Sequence, residues 1–376
     1  MDQNNQEPEP METNDSNSSQ DQENMKEPRG PRQNKKTKKS KDKVYLKQTI
    51  RASGATFLEV FHNLLEETKA NGEEAFLYMQ RVYHSIFFFG HINDPQVKPE
   101  EFVPPNAWNI IEKVFKKPLA EYKTHLPSQT PYSILLEYIT KFYDGKRESI
   151  LKELEKRNHE FLTKFYDDEK NQLRPKDFAL SAAVICHSCV NDPHSVNTYG
   201  SSIAYKGKVP RKIMIGISTL LVWDKVISYE VRCGQSGHGI QFPNDVCCYS
   251  YKFNTTTRTY KPISPCTKCK KMYLAEFVPK FENTGKQEDW RFGNCAETES
   301  LNNLLRKNED IKRTIHTYDS NGEIVSRETI EKRFINEHKD KLQKEIKNLL
   351  ESCKFKVIQN VLKLFKPDKQ SSYQRN

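Results

Sequence analysis

No stretch of about eighteen uncharged apolar residues occurs in the chain, so no segment is expected to cross a bilayer as a helix. The richest apolar patch, "SIFFFGHI" at 85–92, is too short for that and reads as a buried helix end. The N-terminus is acidic and rich in Asn and Gln, without the apolar core of a secretory signal, so the chain is expected in the nucleus or cytoplasm. There is no internal repeat, no glycine-rich phosphate loop and no recognisable Ser/His/Asp arrangement. A disulfide framework is lacking too: the nine cysteines are odd in number and unevenly spaced. Reduced cysteines clustered in sequence are more often metal ligands or small buried hydrophobes.

What the chain does have is charge, unevenly spread. Of its 376 residues 35% are hydrophobic and 29% charged, with a formal net charge of +10. Much of that excess sits in "RGPRQNKKTKKSKDK" at 29–43, behind an acidic stretch, and 1–43 reads as a disordered, charge-segregated tail. Lys35, Lys36, Lys38, Lys39, Lys41 and Lys43 form a candidate nuclear-import signal or nucleic-acid arm, weighed equally against a solvated linker. Such an arm attracts phosphates without reading bases.

From 44 to 174 the pattern is helical, with Phe57, Val60, Phe61, Leu64 and Leu65 at helical spacing and a break near Asn71 and Gly72. Near Lys176 the texture changes. "DFALSAAVICHSCV", "RKIMIGISTLLVW", "KVISYEVRC" and "VCCYSYKFNTTTRTYKPI" are β-branched or aromatic and read as strands, followed by helices starting near Pro265 and Asn294. The segment 310–376 is charged, with a hairpin turn at "DSNGE" and then one long helix carrying Cys353. The fold class is therefore α/β or α+β: a mixed sheet with helices over 175–309, flanked by an N-terminal helical region and a C-terminal long helix.

Two fragments carry chemistry. In "SPCTKCKKMY", Cys266 and Cys269 have the spacing that lets two thiolates reach one metal ion, at a helix start that favours thiolate. In "GNCAETESLNNLL", Cys295 and Glu297 lie two apart at another helix start. Asn294 as N-cap with Glu297 three residues on would equally make a capping-box variant, with Glu299 adding only first-turn charge. Taken together, Cys266, Cys269 and Cys295 give three ligands and leave a fourth tetrahedral position for water, with Glu297 as proton shuttle. Competing groups are Cys186, His187, Cys189 and His194 in "ICHSCVNDPHS", and Cys233 with His238. Cys186 and Cys189 on a strand would point to opposite faces. Cys247 and Cys248 read as packing.

The two fragments resemble the zinc-site motifs of the cytidine deaminase-like superfamily, C-x-E and P-C-x-x-C, in reversed order. The resemblance covers about forty residues and implies a deaminase-like core, a zinc ion on Cys266, Cys269 and Cys295, and Glu297 as general acid/base. Three functions are open: a zinc-holding interaction or host-defence factor without turnover, a zinc-dependent deaminase of a nucleobase, nucleotide or nucleic acid, and a metal-free helical interaction protein. Nucleic acid, nucleotide or protein partners are compatible with these, and a membrane is not.

Overall fold

Short polar side chains and prolines mark where the helices begin. The structure, a computed structural model, describes residues 33–166, 173–191, 197–234, 239–285, 288–319 and 321–369. Helix α1 (Gln33–Glu67) is followed by Asn71, whose side chain accepts from the Glu74 backbone N–H at 2.8 Å and starts α2 (Gly72–Ile92). After α3 (Pro105–Val114) and α4 (Lys116–Glu121) come α5 (Pro131–Phe142), capped by Thr130 with proline in its first turn, and α6 (Arg147–Tyr166). Phe57, Phe61, Tyr138 and Phe161 fill the space between these helices, with the Phe57 and Phe161 rings 5.0 Å apart. The apolar patch at the end of α2 is buried, as its composition predicts. Arg157 of α6 is buried against Glu67, Glu153 and Glu160, the pairing that a guanidinium away from water requires.

Residues Asp42–Asn376 form one compact unit, and of the other, Met1–Lys41, the described part is helical backbone from Gln33. The basic run is thus helical from that point rather than disordered, in keeping with lysine's good helix propensity. The acidic stretch before it lies outside the described residues. Lys35, Lys36, Lys38 and Lys39 lie on this helix; Lys41 is exposed, and Lys43 pairs with Asp94 at 2.9 Å.

Strands β1 (Val184–Val190) and β2 (Thr198–Ser201) open the mixed region, followed by α7 (Lys208–Ile217), a π-helical turn at Ser218–Val222, and α8 (Lys225–Cys233). Then come β3 (Gly239–Gln241), β4 (Val246–Asn254), β5 (Thr259–Pro262), α9 (Thr267–Met272), β6 (Tyr273–Leu274) and β7 (Glu276–Val278). The chain continues through α10 (Ala296–Lys307), α11 (Glu309–Thr314), β8 (His316–Tyr318), β9 (Ile324–Val325), α12 (Arg327–Arg333) and α13 (Asp340–Ser352). One sheet has the antiparallel order β2-β1-β4-β5, with β7 parallel to the other end of β4; the second has the order β6-β3-β8-β9. The fold is α+β, mixed sheets with flanking helices, as the sequence pattern predicts.

Helix α10 lies directly on β1 and β2. Small side chains permit this: Ser300 donates to Ser188 at 2.7 Å, and Thr198 donates to the Ser300 carbonyl at 3.0 Å. Gly200 is the tightest point, where a Cβ would stand 2.3 Å from the Ser300 nitrogen and 2.5 Å from the Ala296 carbonyl oxygen.

Three elements depart from the sequence pattern. "RKIMIGISTLLVW" and "KVISYEVRC" are helices α7 with its π turn and α8, not strands. Their β-branched content favours strands, but Ile213, Ile217 and Leu220 fall on one buried helical face, and Asp224 caps α8 through the Val226 N–H at 3.0 Å. The long C-terminal helix is broken into α12, a π-helical turn at Phe334–Lys339, and α13, and it stops at Ser352. Cys353 is its C-cap, Lys354 has φ +64°, and Val357, Ile358 and Val361 continue in non-helical backbone. This strap returns to the N-terminal helices: Leu126 donates to the Lys363 carbonyl and accepts from the Phe365 N–H, both at 2.8 Å, and Phe365 stacks on His84. The hairpin turn between β8 and β9 forms where predicted.

Candidate metal centre

Strand β4 sits between β1 and β5 and presents Ser250 towards α10. The hairpin into β5 brings the chain back past Ser250, whose carbonyl accepts from the Ile263 N–H at 2.9 Å, and Pro265 then leads into α9. Cys266 is the N-cap of α9, in extended conformation, and its Sγ accepts from the Cys269 N–H at 3.5 Å. One helical turn later Cys269 is fully buried, beneath the same point.

The second segment arrives through Gly293, at φ +83°, where a Cβ would also press on Val231 and Trp223. The turn delivers Cys295 as the N-cap of α10, so the cap is one residue later than the Asn294 predicted. Glu297 therefore does not occupy the capping-box position. Its Oε1 accepts from Ser250 Oγ at 2.7 Å and its Oε2 lies 3.6 Å from Cys269 Sγ. Cys295 Sγ accepts from the Trp290 indole N–H at 3.2 Å.

The sulfurs of Cys266 and Cys295 are 3.4 Å apart, and all three Sγ atoms lie within 4.8 Å of one another. Tetrahedral thiolates at about 2.3 Å from a zinc ion stand about 3.8 Å apart, so the spacing suits one metal ion. The trio shares its protons unequally. Hydrogen bonds from the Cys269 and Cys295 thiols, then the Cys269 and Lys268 backbone N–H groups, hold the Cys266 thiol far below its ordinary range. Donating to Cys266 keeps Cys269 and Cys295 well above theirs. Burial pushes the Glu297 carboxyl up, against the Ser250 hydrogen bond.

The other cysteine and histidine candidates lie elsewhere. Cys186 and Cys189 are on β1, the first buried and the second half-buried, in keeping with alternating strand faces. His187 Nε2 is 3.0 Å from Asn197 Oδ1, between the rings of Tyr199 and Tyr249. Cys248 is buried beside Ser188 while Cys247 is half-buried, and Cys233 lies 3.4 Å from His338 Nε2. His194 and His238 are outside the described residues. Among the described residues, Cys266, Cys269 and Cys295 form the one cluster able to hold a metal ion.

A cavity of about 930 Å³ adjoins this centre. It runs between α5 and α10 over the edge strand β2, and among the three cysteines Cys295 lines it. Glu299, read from sequence as first-turn charge alone, forms part of its wall. It accepts from the Ser201 N–H at 2.7 Å and from Ser133 Oγ at 3.2 Å, and its enclosure pushes its carboxyl up to about 7. Sequence reasoning missed this group, as it missed Ser250 and Trp290, because the partners come from distant segments with no local signature. Compared with protein-family models, with curated proteins and with solved structures, the chain gives no match.

Proposed function

We propose that the protein is a zinc-dependent hydrolase of the deaminase type, exchanging an exocyclic amine for oxygen with water consumed and ammonia released. The convergence of Cys266, Cys269 and Cys295, with Glu297 beside them, carries this reading. The donor set fits zinc: soft sulfur ligands on two helix starts, one already favouring thiolate. When bound at three protein ligands, zinc leaves a fourth position and makes water acidic enough to serve as a nucleophile near neutral pH. Glu297, buried and aligned by Ser250, is the group that holds and moves the proton. The cavity at Cys295 gives the amine-bearing ring a place next to the centre.

A second reading, a zinc-holding interaction factor without turnover, is favoured by one observation. The Glu297 carboxylate is turned to Ser250 and Cys269, and among the residues lining the cavity it is Glu299, not Glu297, that offers a carboxyl from the start of α10. In both readings the lysine-rich start of α1 supplies attraction to phosphate, in the nucleus or cytoplasm. Metal analysis of the purified protein should give about one zinc per chain, and none would overturn both. Ammonia release from a panel of cytosine and adenine compounds, abolished by Glu297→Gln with zinc retained, supports turnover. Retained zinc with no release from the wild type supports the second reading.

A further inference from the structure

The cavity beside Cys295 is elongated, and its two ends differ chemically. It follows one face of α10, along which Cys295, Glu299, Asn302, Asn303 and Arg306 all line it. At the Cys295 end, Glu299 is joined to Ser201 on β2 and to Ser133 in the first turn of α5. At the other end, Asn303 donates to the Tyr199 carbonyl at 2.9 Å, and the Tyr199 hydroxyl donates to the Gly145 carbonyl at 3.0 Å, just beyond the end of α5. So α5, β2 and α10 run side by side from the metal centre to the last turn of α10. Cys295 and Arg306 are eleven positions apart, a rise of about 16 Å along the helix.

Arg306 and Lys307 close the far end, both exposed and neither with a hydrogen-bond or ion-pair partner among the described residues. The third cation there, Lys141, is paired with Glu74 at 2.6 Å, and among the described residues the one nearby carboxylate without a partner is Asp144. Two uncommitted cations thus face one uncommitted anion. A free nucleobase or nucleoside at Cys295 would leave the far half of the trench and both cations unused. A chain of phosphates, or the phosphodiester of a neighbouring nucleotide, would reach them.

We propose that the trench along α10 binds a phosphorylated nucleoside, its ring at Cys295 and its phosphate at Arg306 and Lys307. This rests on the deaminase-type reading for the ring end, whereas the phosphate end stands on the trench itself. Arginine forks and lysine point charges are the usual protein partners of phosphate. The α5 wall explains why the helical region is built against the sheet edge: it supplies one side of the ligand's channel.

The test is equilibrium binding to zinc-loaded Glu297→Gln, which removes turnover from the measurement. Cytidine, its monophosphate and triphosphate, a short deoxycytidine oligomer and the matching adenosine series are compared. Affinity should rise at least tenfold from nucleoside to triphosphate or oligomer, and the better of those two tells a free nucleotide from a strand. Arg306→Ala with Lys307→Ala should erase that gain without changing zinc content, while Arg306→Lys with Lys307→Arg should keep most of it. Equal binding of nucleoside and triphosphate, no binding by any of the series, or a gain untouched by the alanine pair would overturn the proposal. Zinc content and ammonia release are read separately, so a phosphate preference without turnover leaves this site standing while the catalytic reading fails.

Discussion

Replacing Gly200 by alanine tests whether the contact between α10 and the sheet is what brings the three sulfurs together. The new Cβ would stand 2.3 Å from the Ser300 backbone nitrogen, against 3.4 Å for the near limit of ordinary contact, a shortfall of 1.1 Å. The obstructing atoms are backbone of α10, including the Ala296 carbonyl next to Cys295, so no side-chain rotation relieves the clash. The helix start must lift by about that distance. Overpacking typically costs about 1–3 kcal/mol, and rigid backbone places this case at the upper end, about 3 kcal/mol. With a urea m-value of about 3 kcal/mol per molar, the unfolding midpoint should fall by about 1 M. Metal–ligand distances tolerate only about 0.2 Å, so zinc affinity, measured by competition with a chromogenic chelator, should drop at least tenfold. Gly216→Ala is the control: its Cβ would lie closer to an obstacle, 1.9 Å, but that obstacle is the flexible end of Ile346. It should cost about 1 kcal/mol and leave zinc binding unchanged. If Gly200→Ala matches the wild type in both assays, the α10–sheet contact does not set the metal centre.

Two further outcomes follow from buried polar groups. Burial raises the carboxyl of Glu230, whose oxygens have no hydrogen-bond partner among the described residues, from 4.5 to about 8, and that of Glu299 to about 7. Between those values the unfolded chain has released protons that the folded one still holds, so stability falls as pH rises from about 5 to 8. Urea midpoints should report a loss of at least about 1 kcal/mol across that window, reduced by Glu230→Gln and by Glu299→Gln; a midpoint that rises with pH would contradict this. Ser250→Ala takes away the donor to Glu297 Oε1 and should cost about 1–3 kcal/mol with zinc content unchanged, and a neutral effect on stability would mean that the carboxylate is satisfied some other way.

The pairing of cysteines was legible because spacing in a helix start is local information. Cys266 and Cys269 need only one turn to share a metal, and Cys295 needs only its cap. That the two starts meet depends on β4 and Gly200, which no local pattern announces. The α7 and α8 segments misled because β-branched side chains suit any buried face, and the helical placing of Ile213, Ile217 and Leu220 was hidden among them. The C-terminal helix looked continuous because charge and leucine spacing persist past Ser352, while the break comes from residues with positive φ. Glu299 had the least signal: its role depends on Ser133 and Ser201, far away in the chain.

The returning strap has a bearing on how the molecule is completed during synthesis. Leu364, which sits in the trench wall, is translated well after α5 and α10 and is anchored by Phe365 to Leu126 and His84. A nascent chain that has made the sulfur cluster would still present an unfinished channel, and a fragment ending with α13 would keep the cysteines yet leave that side of the channel open to solvent.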